Sequence, residues 1–151
     1  MIIRPYTAAD AEPLADIWLC ASLKAHSFIA ADYWHISRAR MVSEYLPNSN
    51  TLVLESEPGQ PLAFISLLGR HIAALFVHPY FQGCGYGSAL LRQAQQQYDT
   101  LTLNVYQDNI DAVHFYQYHG FRITASSTDS TTGAAEFHML WQRLPLILDE
   151  K

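Results

Sequence analysis

The segment Gln82-Gly-Cys-Gly-Tyr-Gly-Ser88 restricts the fold of this chain more than any other. It follows Ile72–Val77, a nearly continuous apolar run of strand length that Pro79 closes. It precedes Leu90, Leu91, Ala94 and Tyr98, which recur at helical spacing. A strand buried on both faces, a glycine turn and a helix make up part of an α/β sheet with helix crossovers. Glycine admits positive φ and lets a ligand come close to the backbone. The helix start adds unpaired amides and partial positive charge. Together they favour a pyrophosphate even without Lys or Arg beside it.

The loop alone leaves three readings open. A dinucleotide fingerprint built on Gly83 and Gly85 needs glycine where Ser88 stands, and an acidic residue about 20 positions later, where Asn104 and Val105 stand. A nucleotide-hydrolase loop needs Gly-Lys-Ser/Thr, and the loop has no lysine. The third reading is a plain glycine turn that opens a helix.

Periodicity predicts the order β-α-α-β-β-β-α-β-α-β-β. Ile2–Pro5 is a short strand, and Thr7 with Asp10 caps the helix that carries Leu14, Ile17, Trp18, Ala21 and Ala25. A second helix carries Trp34, Met41, Val42, Tyr45 and Leu46 up to Pro47. Strands follow at 51–55 and 62–68, the central run at 72–77, and a further strand at 101–105. Asn109 opens a last helix, capped at its end by Gly120. Phe121, Ile123 and Ala125 alternate, Ser126–Gly133 reads as a loop, and Phe137, Met139 and Trp141 alternate again. One domain over 1–151 is expected, since half of the residues are hydrophobic and can fill one core.

Charge narrows the partners. The net charge is −5, the lysines are Lys24 and Lys151, and no basic run exists, which argues against nucleic acid. No stretch of about 18 apolar residues is present to span a membrane. Met1-Ile-Ile-Arg-Pro reads as a strand and not a signal peptide, so a cytoplasmic protein is expected. Cys20 and Cys84, isolated from each other, suggest neither a secreted scaffold nor a metal site, and no metal is expected.

Two motifs in series decide between the readings of the loop. Leu75-Phe-Val-His-Pro79 followed by Gln82-x-x-Gly85-x-Gly87 and Ala89-Leu-Leu91 resembles the acyl-CoA-binding motif of the GNAT acetyltransferases. Asn109-x-x-Ala112-x-x-Phe115-Tyr116-x-x-x-Gly120-Phe121 resembles the second GNAT signature, and the element order resembles the whole GNAT fold. Small bacterial members also place a His-x-Phe-Ile/Leu segment between the first two helices, as His26–Ile29 does here. The resemblance implies a mixed, mostly antiparallel seven-stranded sheet with splayed central strands and about four helices. It implies acetyl-CoA as co-substrate. The loop Gln82, Gly83, Cys84, Gly85, Tyr86, Gly87 and Ser88 would hold the pyrophosphate, and Leu75, Phe76 and Val77 would pair with the pantetheine arm. Asn104, Asn109, Phe115 and Tyr116 would touch the cofactor from the neighbouring strand and helix. Homodimers are common for this fold, with the last strand and Ser126–Gly133 as contact elements.

Acetyl transfer to an amine needs a neutral amine, a stabilised oxyanion and a protonated leaving thiolate. By the same resemblance, Tyr116 is the expected acid. His71 and His26 are the candidate bases, because imidazole titrates in the right range, with Glu44 and Glu55 behind them. By simple alternation His71 shares a face with Ala73 and Leu75. His26, Phe28, Tyr33 and Trp34 form the expected acceptor lid. The acceptor is a small-molecule or protein amine. A non-catalytic acyl-CoA sensor is the alternative.

Overall fold

The computed structural model describes residues 1–145; the last six residues of the expected 1–151 domain, Lys151 among them, lie outside the described residues. Strands β1 (Ile2–Pro5), β2 (Asn50–Glu57), β3 (Gln60–Leu68), β4 (His71–Val77), β5 (Thr100–Tyr106), β6 (Arg122–Thr128) and β7 (Ala135–Gln142) form one sheet. Their order is β1-β2-β3-β4-β5-β7-β6. Only β4 and β5 run parallel. Helices α1 (Ala11–Ala25), α2 (Ala31–Arg40), α3 (Tyr86–Gln97) and α4 (Ile110–Tyr118) flank the sheet. This is the mixed, mostly antiparallel architecture with four helices that the motifs imply.

Each face of the sheet owns one apolar cluster. On one face Ile65, Leu67, Leu101, Leu103 and Met139 pack with Leu90, Leu91 and Ala94 of α3 and Val113 and Tyr116 of α4. On the other, Val53 and Phe64 pack with Leu14, Ile17 and Trp18 of α1 and Trp34 of α2. The α1 residues fall at helical spacing, so one stripe supplies the buried face. In β5 the alternation is strict: Leu101, Leu103 and Val105 are buried, while Thr102 and Asn104 are exposed.

Three local departures from simple periodicity shape the molecule. The helix expected to run to Pro47 stops as α-helix at Arg40 and widens into a π turn over Met41–Tyr45. There the Leu46 amide donates to the Met41 carbonyl at 3.0 Å, and Leu46 is fully buried. β6 does not bury the alternating set expected from Phe121, Ile123 and Ala125. Phe121 is buried ahead of the strand, a bulge interrupts pairing between Ile123 and Ala125, and the strand is exposed throughout. It also runs to Thr128, which shortens the expected loop.

The third departure lies in β4. Its register with β3 pairs Ser66 with Ala74 and Leu67 with Ile72, leaving Ala73 as an extra residue. Such a bulge reverses the facing of the side chains beyond it. Ile72 and Leu75 therefore pack on the same face, and Ala74 and Phe76 on the other. The expected placement of His71 beside Leu75 is corrected by this bulge: His71 sits on the opposite face.

Gly120 ends α4 with φ +92°, and an added Cβ there would lie 3.1 Å from Cδ1 of Trp141. The Gly120→Ala variant should lose about 1–2 kcal/mol of stability from the forced backbone angle. Chemical denaturation of both proteins measures this, and an unchanged midpoint would refute it.

Candidate active site

Backbone pairing joins β4 to β5 at His71 with Thr102 and at Ile72 with Leu103, and the strands part beyond these residues. From the bulge to Val77, the edge of β4 that faces β5 therefore has no strand beside it. Two cavities open along this parting. The first, about 650 Å³, is lined by Ala73–Phe76 of β4, Asn104–Tyr106 of β5, Tyr33 and Trp34 of α2, and Glu136 of β7. The second, about 900 Å³, is lined by Leu75–Val77, the glycine loop from Gln82, the end of α1 and the start of α4. His26, Leu75, Phe76, Asn109, Ala112 and Tyr116 line both.

The second cavity fits the cofactor that the motifs imply. Gly83 and Gly85 have φ +83° and +85°, and nothing lies within 4 Å of where their Cβ atoms would be. Only glycine holds that backbone without strain, and the space above it is free for a phosphate. Gly85 also precedes the first turn of α3, whose amides lack helical partners. At Gly87 an added Cβ would meet Phe115 and Val77 at 3.6 Å, an ordinary van der Waals contact. Gly83, Gly85, Tyr86, Gly87 and Ser88 line the cavity with Gln82, whereas exposed Cys84 does not. The Ser88 hydroxyl is engaged with His119 Nε2 at 3.0 Å. Asn104 lines the first cavity instead of the second and bonds its neighbour His138 through Oδ1.

Asn109 caps α4: its Oδ1 accepts from the Ala112 amide at 3.4 Å. Its Nδ2 then faces His26 Nε2 at 3.2 Å. An amide N–H can only donate, so Nε2 of His26 accepts and its proton resides on Nδ1. That Nδ1 is buried without a protein partner. The ring is stacked on Trp34 at 5.0 Å and lies edge-on to Tyr106 at 5.1 Å. Burial pushes the imidazole down to about 4, so His26 is neutral at physiological pH. A base of that strength, with its acceptor nitrogen occupied, is a poor sink for an ammonium proton.

His71, the other candidate base, lines neither cavity. Its Nδ1 bonds Thr102 Oγ1 at 2.9 Å on the face away from Leu75. Burial, with His138 nearby, lowers its pKa. Glu55 is tied up at the far end of β2, where it accepts from Arg4 at 3.1 Å and from the Gly59 amide at 3.1 Å. Glu44 lines the first cavity and pairs with Arg40 at 3.1 Å. Phe28 is partly exposed and flanks His26 and Tyr106 without lining the cavity. Tyr116 is buried at the junction, and burial holds its phenol well above the ordinary range.

The residue that periodicity passed over is Glu136. It stands opposite Tyr106 across β5 and β7 and lines the first cavity. Burial first, and then nearby Asp129, raise its carboxyl pKa. Alternation of Phe137, Met139 and Trp141 onto the core face was the available signal, since it turns Glu136 towards the opposite one. Tyr106 donates to Asp129 Oδ2 at 2.7 Å and ties the β6–β7 loop to this wall.

The described residues contain no helix long and apolar enough to cross a membrane. A family profile described as an acetyltransferase (GNAT) domain matches residues 47–123. Peptidyl-lysine N-acetyltransferase YiaC of Escherichia coli is 35% identical over 141 residues, covering 93% of this chain and 96% of its own. Peptidyl-lysine N-acetyltransferase YjaB of the same organism is 37% identical over 126 residues, covering 83% and 84%. The solution structure of its apo form superposes with a TM-score of 0.84 over 95% of this chain and 100% of that one. The paiA N-acetyltransferase of Thermoplasma acidophilum, solved with coenzyme A, shares the fold at a TM-score of 0.76 and 17% identity, over 93% and 98%.

The neutral, buried His26 has a consequence for pH. An unfolded histidine protonates near 6.5, and this one is held down to about 4. Stability is unaffected above pH 6.5 and falls between 6.5 and about 4, by at most about 3 kcal/mol, because only the unfolded state binds the proton. An NMR titration of the His26 ring should show its midpoint near 4; a midpoint above 6 would refute the buried-neutral assignment.

Proposed function

The chain belongs to the GNAT family and is an N-acetyltransferase; we propose that it carries the acetyl group of acetyl-CoA to the side-chain amine of a lysine in a protein, by direct attack with both substrates bound. The observation that carries this reading is the meeting of the two cavities at Tyr116, Asn109 and Leu75, where the strands part. The glycine loop binds phosphate in the second cavity, and an amine enters through the first.

The lining of the first cavity supports a cationic acceptor. Among the described residues its lining contains no Lys or Arg, and its carboxylates are Glu44 and Glu136. Tyr33, Trp34 and Tyr106 supply aromatic faces that attract an ammonium and cover an aliphatic stem. The relatives named as peptidyl-lysine acetyltransferases support the choice of lysine. The two exposed free cysteines are in keeping with a cytoplasmic enzyme.

Bound acetyl-CoA supplies the acyl group as an activated thioester. The unpaired backbone edge of β4 orients the pantetheine arm as an added strand would, and its amides donate to the thioester carbonyl. Glu136 draws in the ammonium and takes its proton, directly or through water; its raised pKa makes it a stronger base than an ordinary carboxylate. Tyr116, kept protonated by burial, donates to the departing sulfur. His26 holds Asn109 in place and does not exchange the proton.

A thiol-release assay with acetyl-CoA, run across lysine peptides, polyamines and aminoglycosides, tests the reading. Release with lysine peptides, and acetyl-lysine in the product by mass spectrometry, is expected. Tight CoA binding with no release from any acceptor would favour the sensor alternative. Tyr116→Phe should lower kcat by about 100-fold with little change in CoA affinity. Glu136→Gln should raise KM for the peptide and remove the acid limb of the kcat/KM profile. An unchanged acid limb would exclude Glu136 as the base.

A further inference from the structure

We infer that Lys24, on the last turn of α1, is a cofactor-binding residue that grips the phosphates of CoA from across the groove and supplies the positive charge that the loop lacks. This rests on the reading of the second cavity as the acetyl-CoA site.

Three observations converge on Lys24. It lines the second cavity, and among the described residues it is the only Lys or Arg in that lining. The charged residues otherwise lining this cavity are Asp108 and Asp111, at the start of α4. A groove that must hold a polyanion thus carries one cation against two carboxylates. Second, Lys24 Nζ donates to Gln82 Oε1 at 3.3 Å. Gln82 stands first in the loop motif. Third, Gln82 is held at its other end, since its Nε2 donates to the Val77 carbonyl at 3.4 Å. The chain Lys24–Gln82–Val77 therefore links the end of α1 to the end of β4 through the first residue of the glycine loop.

An ammonium has three N–H donors, and one is engaged by Gln82. Two remain for phosphate oxygens, on a side chain that is exposed and free to follow them. Charge-assisted bonds of this kind are about twice as strong as neutral ones. The alternative role of Lys24 is local. A cation in the last helical turn complements the helix dipole. That role affects the stability of the free protein and leaves ligand affinity alone.

Calorimetric titration of the full chain separates these roles. Wild type, Lys24→Gln and Lys24→Arg are titrated with CoA and with S-acetylpantetheine, which lacks the phosphates, at low and high salt. Thermal unfolding of the free proteins runs in parallel. Lys24→Gln should bind CoA about tenfold more weakly, the equivalent of about 1.4 kcal/mol. Its affinity for S-acetylpantetheine should match wild type, its CoA binding should depend less on salt, and Lys24→Arg should restore most of the loss. Equal CoA affinity and equal salt dependence in wild type and Lys24→Gln would overturn the inference while leaving the acetyl-CoA site intact. Failure of wild type itself to bind CoA would overturn both.

Discussion

His71 beside Thr102 and Ile72 beside Leu103 are the backbone pairs that join the two halves of the sheet. On one side stand four antiparallel strands, on the other three, and each half is well paired within itself. A parallel pair cannot be closed by a hairpin and needs a long crossover, which here runs through α3. The crossover begins where β4 has already left β5. Everything the site needs follows from this divergence: a bare backbone edge, a glycine loop aimed at the gap, and α4 set on the far bank. The bulge at Ala73 sits at the point of separation.

The two clusters of apolar side chains hold the banks apart with different means. α3 and α4 rest on one face through a mainly aliphatic core that also holds Tyr116 and Phe121. On the other face the wall is aromatic, with Trp18, Trp34, His26 and Tyr106 in edge and stacked contacts between 5.0 and 6.5 Å. Rings are rigid and large, so a few of them define a cavity without filling it. His26 belongs to this wall by its stacking and to the junction by its bond to Asn109. Its place explains its chemistry: a ring buried enough to shape the cavity is too buried to take a proton.

Much of the fold was legible in the sequence, because the signals were local. The stripe of α1, the strict alternation of β5, Gly120 and the loop from Gln82 to Ser88 each reflect the backbone they occupy. Of the candidate site, the motifs mark cavity-lining residues at Tyr116, Asn109 and the glycines. What stayed hidden was set by register. One extra residue at Ala73 sent His71 to the other face, and nothing in the sequence of β4 announces it. Glu136 and Lys24 were passed over for a related reason. Each gains its meaning from a neighbour far along the chain, Tyr106 for one and Gln82 for the other.

The gap between β4 and β5 also creates two strand edges inside the molecule. An unpaired edge is a template for any extended segment, and proteins normally blunt theirs with charge, proline or a covering element. Here the edge of β4 beyond Ile72 has no partner strand inside the fold. The end of α1 and the start of α4 line the cavity beside it. His26, just after α1, meets Asn109, just before α4, at 3.2 Å, so a side-chain bond bridges the two helices beside this edge. A covering element of this kind is one of the means by which a fold keeps an internal strand edge from pairing with other chains.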